Sequence, residues 1–121
     1  MTRDERAIKI AEFEGFKEEP NLAFPFQSRT SFWNTERTRA FENENDVIDY
    51  FSSFNGLMPI VERVNNKRSV DTGIVITKYE IQVYFTGGRP TSVFVYNDSK
   101  YPLIDALQAA IIYYHENRGE Q

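Results

Sequence analysis

Arginines, hydroxyl side chains and one tryptophan cluster between residues 29 and 39, and they carry a positive charge within an otherwise acidic half of the chain. Guanidinium groups pair bidentately with phosphate, and an aromatic plane stacks on a nucleobase. The cluster therefore predicts a site for a phosphate-bearing ligand such as a nucleotide. The predicted binding residues are Arg29, Ser31, Trp33, Arg37 and Arg39. The structural alternative pairs these arginines with Glu36, Glu42 and Glu44 and leaves Trp33 to cover the core.

A second candidate anion site precedes the last predicted helix, at Asn97-Asp98-Ser99-Lys100. Backbone N–H groups and the positive end of the helix dipole attract anions at such a position. Ser99 and Lys100 are therefore added to the predicted ligand-binding set. The alternative is ordinary N-capping, which every helix requires.

The residue types limit catalysis and metal binding. The chain has no cysteine and one histidine, His115. A catalytic triad would have to use His115, which is predicted near the end of a helix as a solvated or dipole-stabilised side chain. Carboxylate pairs such as Glu42 and Glu44 lack the glycine and the alternation of a calcium loop. No catalytic residue, metal site or cofactor is therefore predicted.

The composition is that of a soluble globular chain. It has 121 residues, 40% hydrophobic and 26% charged, and a formal net charge of −4. This length predicts one domain, residues 1–121, and no stretch is apolar enough to span a membrane. The charged amphipathic start favours a cytoplasmic protein. The acidic balance, concentrated in the first 50 residues, argues against general nucleic-acid binding.

The pattern of the N-terminal half predicts helices around a long loop. Thr2 and Glu5 have the spacing of a capping box, so a helix is expected over about 3–14. Residues 21–41 follow neither a period of 2 nor one of 3.6 and are predicted to be a loop pinned by its aromatic side chains. Because loops of this length are uncommon in compact domains, a short strand within the segment is the alternative prediction. Apolar residues from Val47 to Val64 then recur at helical spacing. Pro59 predicts either a kink there or a short turn followed by a helix whose first turn holds the proline.

The C-terminal half predicts a hairpin and a helix. Residues 74–85 alternate, with Val75, Tyr79 and other odd positions on one apolar face, and are predicted to form a half-buried strand. A glycine-containing turn at 86–90 joins it to a second strand at 91–96. The closing helix is expected to be capped within 97–99, to take Pro102 in its first turn and to end near Asn117. The fold class predicted is α+β: a small antiparallel sheet built on this hairpin, packed against amphipathic helices in helix–sheet–helix order.

Three segments also carry a resemblance to a known group. They are Ile10-Ala11-Glu12-Phe13, the middle-helix core Leu57-Met58-Pro59-Ile60-Val61-Glu62, and the polar cap before the helix that ends in Tyr113-Tyr114. Together they resemble small uncharacterised proteins of bacteriophages and Bacteroidetes, of the phage "ABA sandwich" type. The chain departs from that pattern at Phe54, where a tryptophan is usual. The resemblance implies a phage context, in which small accessory proteins act on host immune signalling, and it supplies no catalytic residues.

Three hypotheses about function follow. The first is a non-enzymatic counter-defence protein that sequesters a host component, such as a nucleotide signal held by the 29–39 cluster; it predicts a pocket with convergent arginines and an aromatic wall. The second is a protein–protein inhibitor of a host factor, which predicts a flat hydrophobic patch. The third is a nucleotide hydrolase, which requires His115 to meet carboxylates near the arginines. The many aromatic residues also suggest a homodimer, formed through the sheet or a helix face.

Overall fold

The computed structural model describes residues 1–20, 30–33, 40–41, 43–66, 73–85, 90–97 and 102–117. Their architecture is α+β, with helices packed on antiparallel strands in helix–sheet–helix order, as the sequence predicts. The described elements are α1 (Arg3–Phe13), β1 (Lys17–Pro20), β2 (Thr30–Trp33), β3 (Ala40–Phe41), α2 (Glu44–Tyr50), α3 (Phe54–Asn65), β4 (Gly73–Ile76), β5 (Glu80–Tyr84), β6 (Ser92–Val95) and α4 (Leu103–Asn117).

Helix α1 confirms the predicted capping box. The Thr2 hydroxyl accepts a hydrogen bond from the Glu5 N–H at 3.1 Å, and the Glu5 carboxylate accepts one from the Thr2 N–H at 3.3 Å. These bonds satisfy two N–H groups that have no partner inside the helix. The helix ends at Phe13, and Gly15 follows with a φ of 88°, a conformation that favours glycine. Ala7, Ile10 and Ala11 form its buried face.

Within residues 21–41 the alternative prediction of a short strand is confirmed at β2 and β3, and the prediction of one continuous loop is wrong there. β2 is the central strand of an antiparallel sheet in the order β1-β2-β3. Strands of four and two residues are too short to show a period of 2, so the alternation on which a prediction depends is absent. This sheet contacts α2.

The middle segment is two helices, α2 and α3, separated by a turn at residues 51–53. The Ser53 side chain caps α3, so Pro59 lies in the second turn of that helix rather than in the first. Gly56 allows the two helices to meet, since a Cβ atom there would lie 1.9 Å from the Tyr50 carbonyl oxygen. Any larger side chain would force the helices apart.

The single strand predicted over 74–85 is two strands, β4 and β5, joined by a turn at residues 77–79. The Thr77 hydroxyl donates to the Glu80 carbonyl at 2.9 Å and accepts from the Glu80 N–H at 3.2 Å, which closes the turn. The turn also shifts by one residue the alternation between buried and exposed side chains. Val75 and Tyr79, predicted on the apolar inner face, are therefore exposed, whereas Ile74 is buried. The predicted pairing of the next two strands is confirmed, since β5 pairs antiparallel with β6.

Helix α4 packs on the β4-β5-β6 sheet and runs beside α1 and α3. It begins at Leu103, after Pro102, whose carbonyl accepts the Ala106 N–H at 3.2 Å, and it ends at Asn117 as predicted. The apolar stripe of the helix is buried at Ala106, Leu107, Ala110, Ile111 and Tyr114 and half-buried at Leu103. The core beneath it combines Ile81 and Val83 of β5 with residues of all the described helices.

Candidate functional site

Most of the residues predicted to bind a ligand lie outside the described part of the chain: Arg29, Arg37, Arg39, Ser99 and Lys100. Ser31 and Trp33 lie in β2, where their backbones pair with Glu19 and Lys17 of β1. Their nucleotide-binding role therefore stays a prediction, and the described residues point to another surface.

The side of the β4-β5-β6 sheet that faces away from the helices presents apolar side chains to solvent. We call it the outer face; it consists of Val75, Glu80, Gln82, Tyr84, Val93 and Val95. The register places Val75, Gln82 and Val93 in one row across the three strands. Val75 is 45% exposed, Val93 41% and Val95 65%. Aliphatic side chains clustered on a solvent-exposed sheet form the kind of patch that marks protein interaction sites.

The polar side chains of the outer face bond to one another along β5. The Tyr84 hydroxyl donates to Gln82 Oε1 at 2.6 Å, and Gln82 Nε2 donates to Glu80 Oε1 at 2.7 Å. Because this row is internally hydrogen-bonded, covering it costs less desolvation energy than covering unpaired polar groups. The turn beside it adds Tyr79, 67% exposed, whose ring lies 5.4 Å from Lys78 Nζ.

A first buried polar cluster joins the N-terminal parts of α1 and α4. This Asp105 cluster consists of Arg3, Arg6, Asp105 and Gln108. Asp105 accepts bonds from Arg3 Nη2 at 2.7 Å and from Arg6, and these bonds hold the pKa of its carboxyl below the ordinary value. Gln108 accepts from Arg6 Nε at 3.1 Å and donates to the Phe51 carbonyl at 2.8 Å. The partners of these side chains belong to the protein, so the cluster is a structural tie.

A second cluster joins the C-terminal ends of α1 and α4 to α3. This His115 cluster consists of Glu14, Arg63 and His115. Glu14 pairs with Arg63, and its Oε2 lies 3.5 Å from His115 Nε2. Burial opposes the charged form of Glu14, but the contacts with His115 and Arg63 outweigh it and lower the pKa of that carboxyl.

Of the two environments predicted for His115, solvated or dipole-stabilised, the solvated one is wrong because the side chain is buried. Its side chain is only 4% exposed, and neither ring nitrogen makes a hydrogen bond to another residue that the structure describes. The ring stacks on Phe13 at 4.9 Å and meets Tyr114 edge-on at 5.5 Å. Ring stacking, with Glu14 beside Nε2, therefore holds the histidine within the packed interior.

A groove of about 290 Å³ opens between α1 and α2. Ile8 and Ile48 contribute its apolar lining, and Asp4, Glu5 and Glu44 line it with carboxylates. Three carboxylates repel a phosphate group, so this groove is opposite in charge to the pocket with convergent arginines that nucleotide binding predicts.

Two aspects of the outer face were not predicted from the sequence. They are the outward position of Val75 and the hydrogen bonds among the polar side chains of β5. The signal for the first was present, because Thr77-Lys78-Tyr79 contains a threonine able to close a turn three residues before Glu80. The alternation of apolar residues concealed it.

Within the described ranges, no His, Asp or Glu side chains come together in threes as potential metal ligands. None of the helices in those ranges is both long and apolar enough to cross a bilayer. Comparison with known proteins finds no matching family, no matching curated protein and no matching solved structure.

Proposed function

We propose that this protein is a non-enzymatic accessory protein that binds another protein, a host factor, through the outer face of its β4-β5-β6 sheet. The observation that carries the proposal is the exposed aliphatic row of that face beside a polar row that is already hydrogen-bonded. Exposed aliphatic side chains of this kind support the hypothesis of a protein–protein inhibitor, which predicts a hydrophobic patch. The proposal keeps the counter-defence role in the host cytosol that the phage-type resemblance implies, and the sequestered component is a protein.

The buried ionisable side chains of the two clusters support binding rather than catalysis. The one histidine is buried without a hydrogen bond, and Asp105 and Glu14 are engaged by arginines. A general acid or base must reach a substrate atom within hydrogen-bond distance. These groups tie helices together instead.

The test compares two matched variants, each of which replaces one partly exposed apolar side chain with glutamate. Val75→Glu alters the outer face, and Phe54→Glu alters the first residue of α3, where the side chain is 44% exposed. Tagged wild type and both variants are used to capture proteins from a bacterial lysate. Each captured protein is then purified and titrated against the three baits by calorimetry.

We expect a purified partner that binds the wild type and the Phe54→Glu variant and binds the Val75→Glu variant at least tenfold more weakly. A partner that binds all three equally would overturn the assignment to the outer face. Native mass spectrometry with a pool of linear and cyclic nucleotides tests the other hypothesis. A nucleotide retained intact, without any partner that depends on the outer face, would replace the present proposal with nucleotide sequestration.

A further inference from the structure

The two edges of the β4-β5-β6 sheet are closed to different extents. On β4, the Ile74 N–H and C=O point away from β5, and the Asn65 side chain bonds to both. Its Oδ1 accepts the Ile74 N–H at 2.8 Å, and its Nδ2 donates to the Ile74 carbonyl at 2.9 Å. The amide thus takes the place of a neighbouring strand, and this edge is sealed at its centre.

The other edge, β6, has no such cover among the described residues. The Tyr96 N–H bonds to the Tyr79 carbonyl at 3.0 Å, which fixes the direction of alternate backbone groups along β6. Since these groups alternate in direction, those of Val93 and Val95 point away from β5. At Thr91 the N–H turns inward to the Val83 carbonyl at 2.7 Å, which confines the open edge to Val93 and Val95.

The sequence of β6 contains none of the residue types that protect an edge strand from pairing with another strand. The strand reads Ser92-Val93-Phe94-Val95, with no charged residue and no proline. Both valines that present the open backbone groups also present exposed side chains on the outer face. Unprotected, apolar edge strands of this kind are templates for another strand.

The open edge is complementary to itself. A twofold axis at Phe94, perpendicular to the sheet, places Val93 of one copy opposite Val95 of the other in antiparallel register. Each such pair exchanges two N–H···O=C bonds, so the symmetric contact satisfies all the open groups of both strands. It also brings the exposed valines side by side on one face. An edge that fits its own copy generates a closed, isologous dimer.

We infer that β6 pairs with β6 of a second copy, so that two three-stranded sheets join into one antiparallel six-stranded sheet with a shared outer face. The inference does not depend on the proposed host partner, since it concerns purified protein alone. Sedimentation velocity over about 1 μM to about 1 mM is expected to show a concentration-dependent dimer of twice the 14.2 kDa chain mass. A wild type that stays monomeric throughout this range would overturn it.

A first pair of variants tests the backbone contact. Val95→Pro removes the outward N–H while keeping an apolar side chain, and proline is tolerated on edge strands whose N–H faces solvent. Val95→Thr keeps the N–H and a β-branched side chain and serves as the control. We expect the proline variant to raise the dimer dissociation constant at least tenfold and the threonine variant to remain dimeric, with both folded by circular dichroism. A dimer that survives Val95→Pro unchanged would contradict the β6 interface.

A second pair tests the register and does not rely on proline. Val93→Lys with Val95→Lys places like charges opposite each other across the dimer axis, and Val93→Glu with Val95→Lys places opposite charges there. The two double variants differ only at position 93. We expect the first to be monomeric and the second to dimerise, with its dimer weakening as salt rises from about 50 to 500 mM. Equal association of the two would rule out the 93-to-95 register.

Discussion

At one end of the α1–α4 interface, Asp105 lies between Arg3 and Arg6 and accepts hydrogen bonds from both. At the other end, Glu14 pairs with Arg63 and its Oε2 lies 3.5 Å from His115 Nε2, while neither imidazole nitrogen makes a hydrogen bond to another described residue. The two ends thus use ionisable side chains in different ways. The Asp105 cluster orients α1 on α4 through directional bonds, whereas the His115 cluster relies on stacked rings with a charge beside them.

This difference indicates where the interface tolerates change. A buried charge that loses its partner is costly, because its desolvation is no longer offset. A buried ring whose nitrogens are unbonded loses little when an apolar ring replaces it. The clusters should therefore respond unequally to substitutions that look alike in the sequence.

The largest effect is expected from Asp105→Ala. Arg6, whose side chain is 12% exposed, would keep its charge without the carboxylate that compensates it. We expect the free energy of unfolding to fall by about 3 kcal/mol or more, measured by urea denaturation at pH 7. The matched control is Asp49→Ala, which removes an exposed carboxylate from α2 and should change stability by less than about 0.5 kcal/mol. A similar small effect for both would mean that the Asp105 cluster does not stabilise the interface.

The next effect is expected from Glu14→Gln, at about 1–2 kcal/mol at neutral pH, because the charge that attracts Arg63 and His115 is lost. The pKa of Glu14 is lowered in the folded state, so the folded protein binds fewer protons than the unfolded chain. Its contribution is present above the ordinary value of 4.5 and is lost as the pH falls through the folded-state pKa.

Urea denaturation between about pH 3 and pH 7 measures that dependence. The variant should lose less stability on acidification than the wild type. Glu62→Gln, at an exposed position of α3, is the control and should follow the wild-type profile. An identical acid profile for Glu14→Gln and wild type would show that the contacts of Glu14 do not couple protonation to folding.

A smaller effect is expected from His115→Phe. The substitution keeps a ring to stack on Phe13 and removes two buried nitrogens that have no hydrogen bond. We expect stability to change by no more than about 1 kcal/mol, in either direction. His115→Ala, which removes the ring, should cost about 3 kcal/mol in the same thermal or urea measurement. If the phenylalanine variant were as unstable as the alanine variant, the imidazole nitrogens, and not ring stacking on Phe13, would stabilise this end of the α1–α4 interface.

The smallest effect is expected at Lys9, which pairs with Glu116 at 2.6 Å on the surface of the same interface. Both side chains are more than a third exposed, so water and salt screen the pair. Lys9→Ala should change the free energy of unfolding by less than about 0.5 kcal/mol. A loss above about 1 kcal/mol would show that this exposed pair stabilises the interface as the buried ion pairs do.

Local patterns in the sequence determined several parts of this fold. The capping box at Thr2 and Glu5, the end of α4 at Asn117 and the antiparallel pairing of β5 with β6 all depend on neighbouring residues. Capping, helical periodicity and strand alternation are short-range effects, so the sequence is sufficient to predict them.

Other features were decided only by the tertiary structure. The turn at residues 77–79 shifted the alternation and turned Val75 outward, and β2 became a strand only through pairing with β1 and β3. His115 is predicted to be solvated or dipole-stabilised because it lies near a helix end, yet its ring stacks on Phe13 of α1. Whether a polar group is buried, and whether a sheet edge is covered as Asn65 covers β4, depends on residues distant in the chain. No local pattern specifies those neighbours, because burial is a property of the packed elements together.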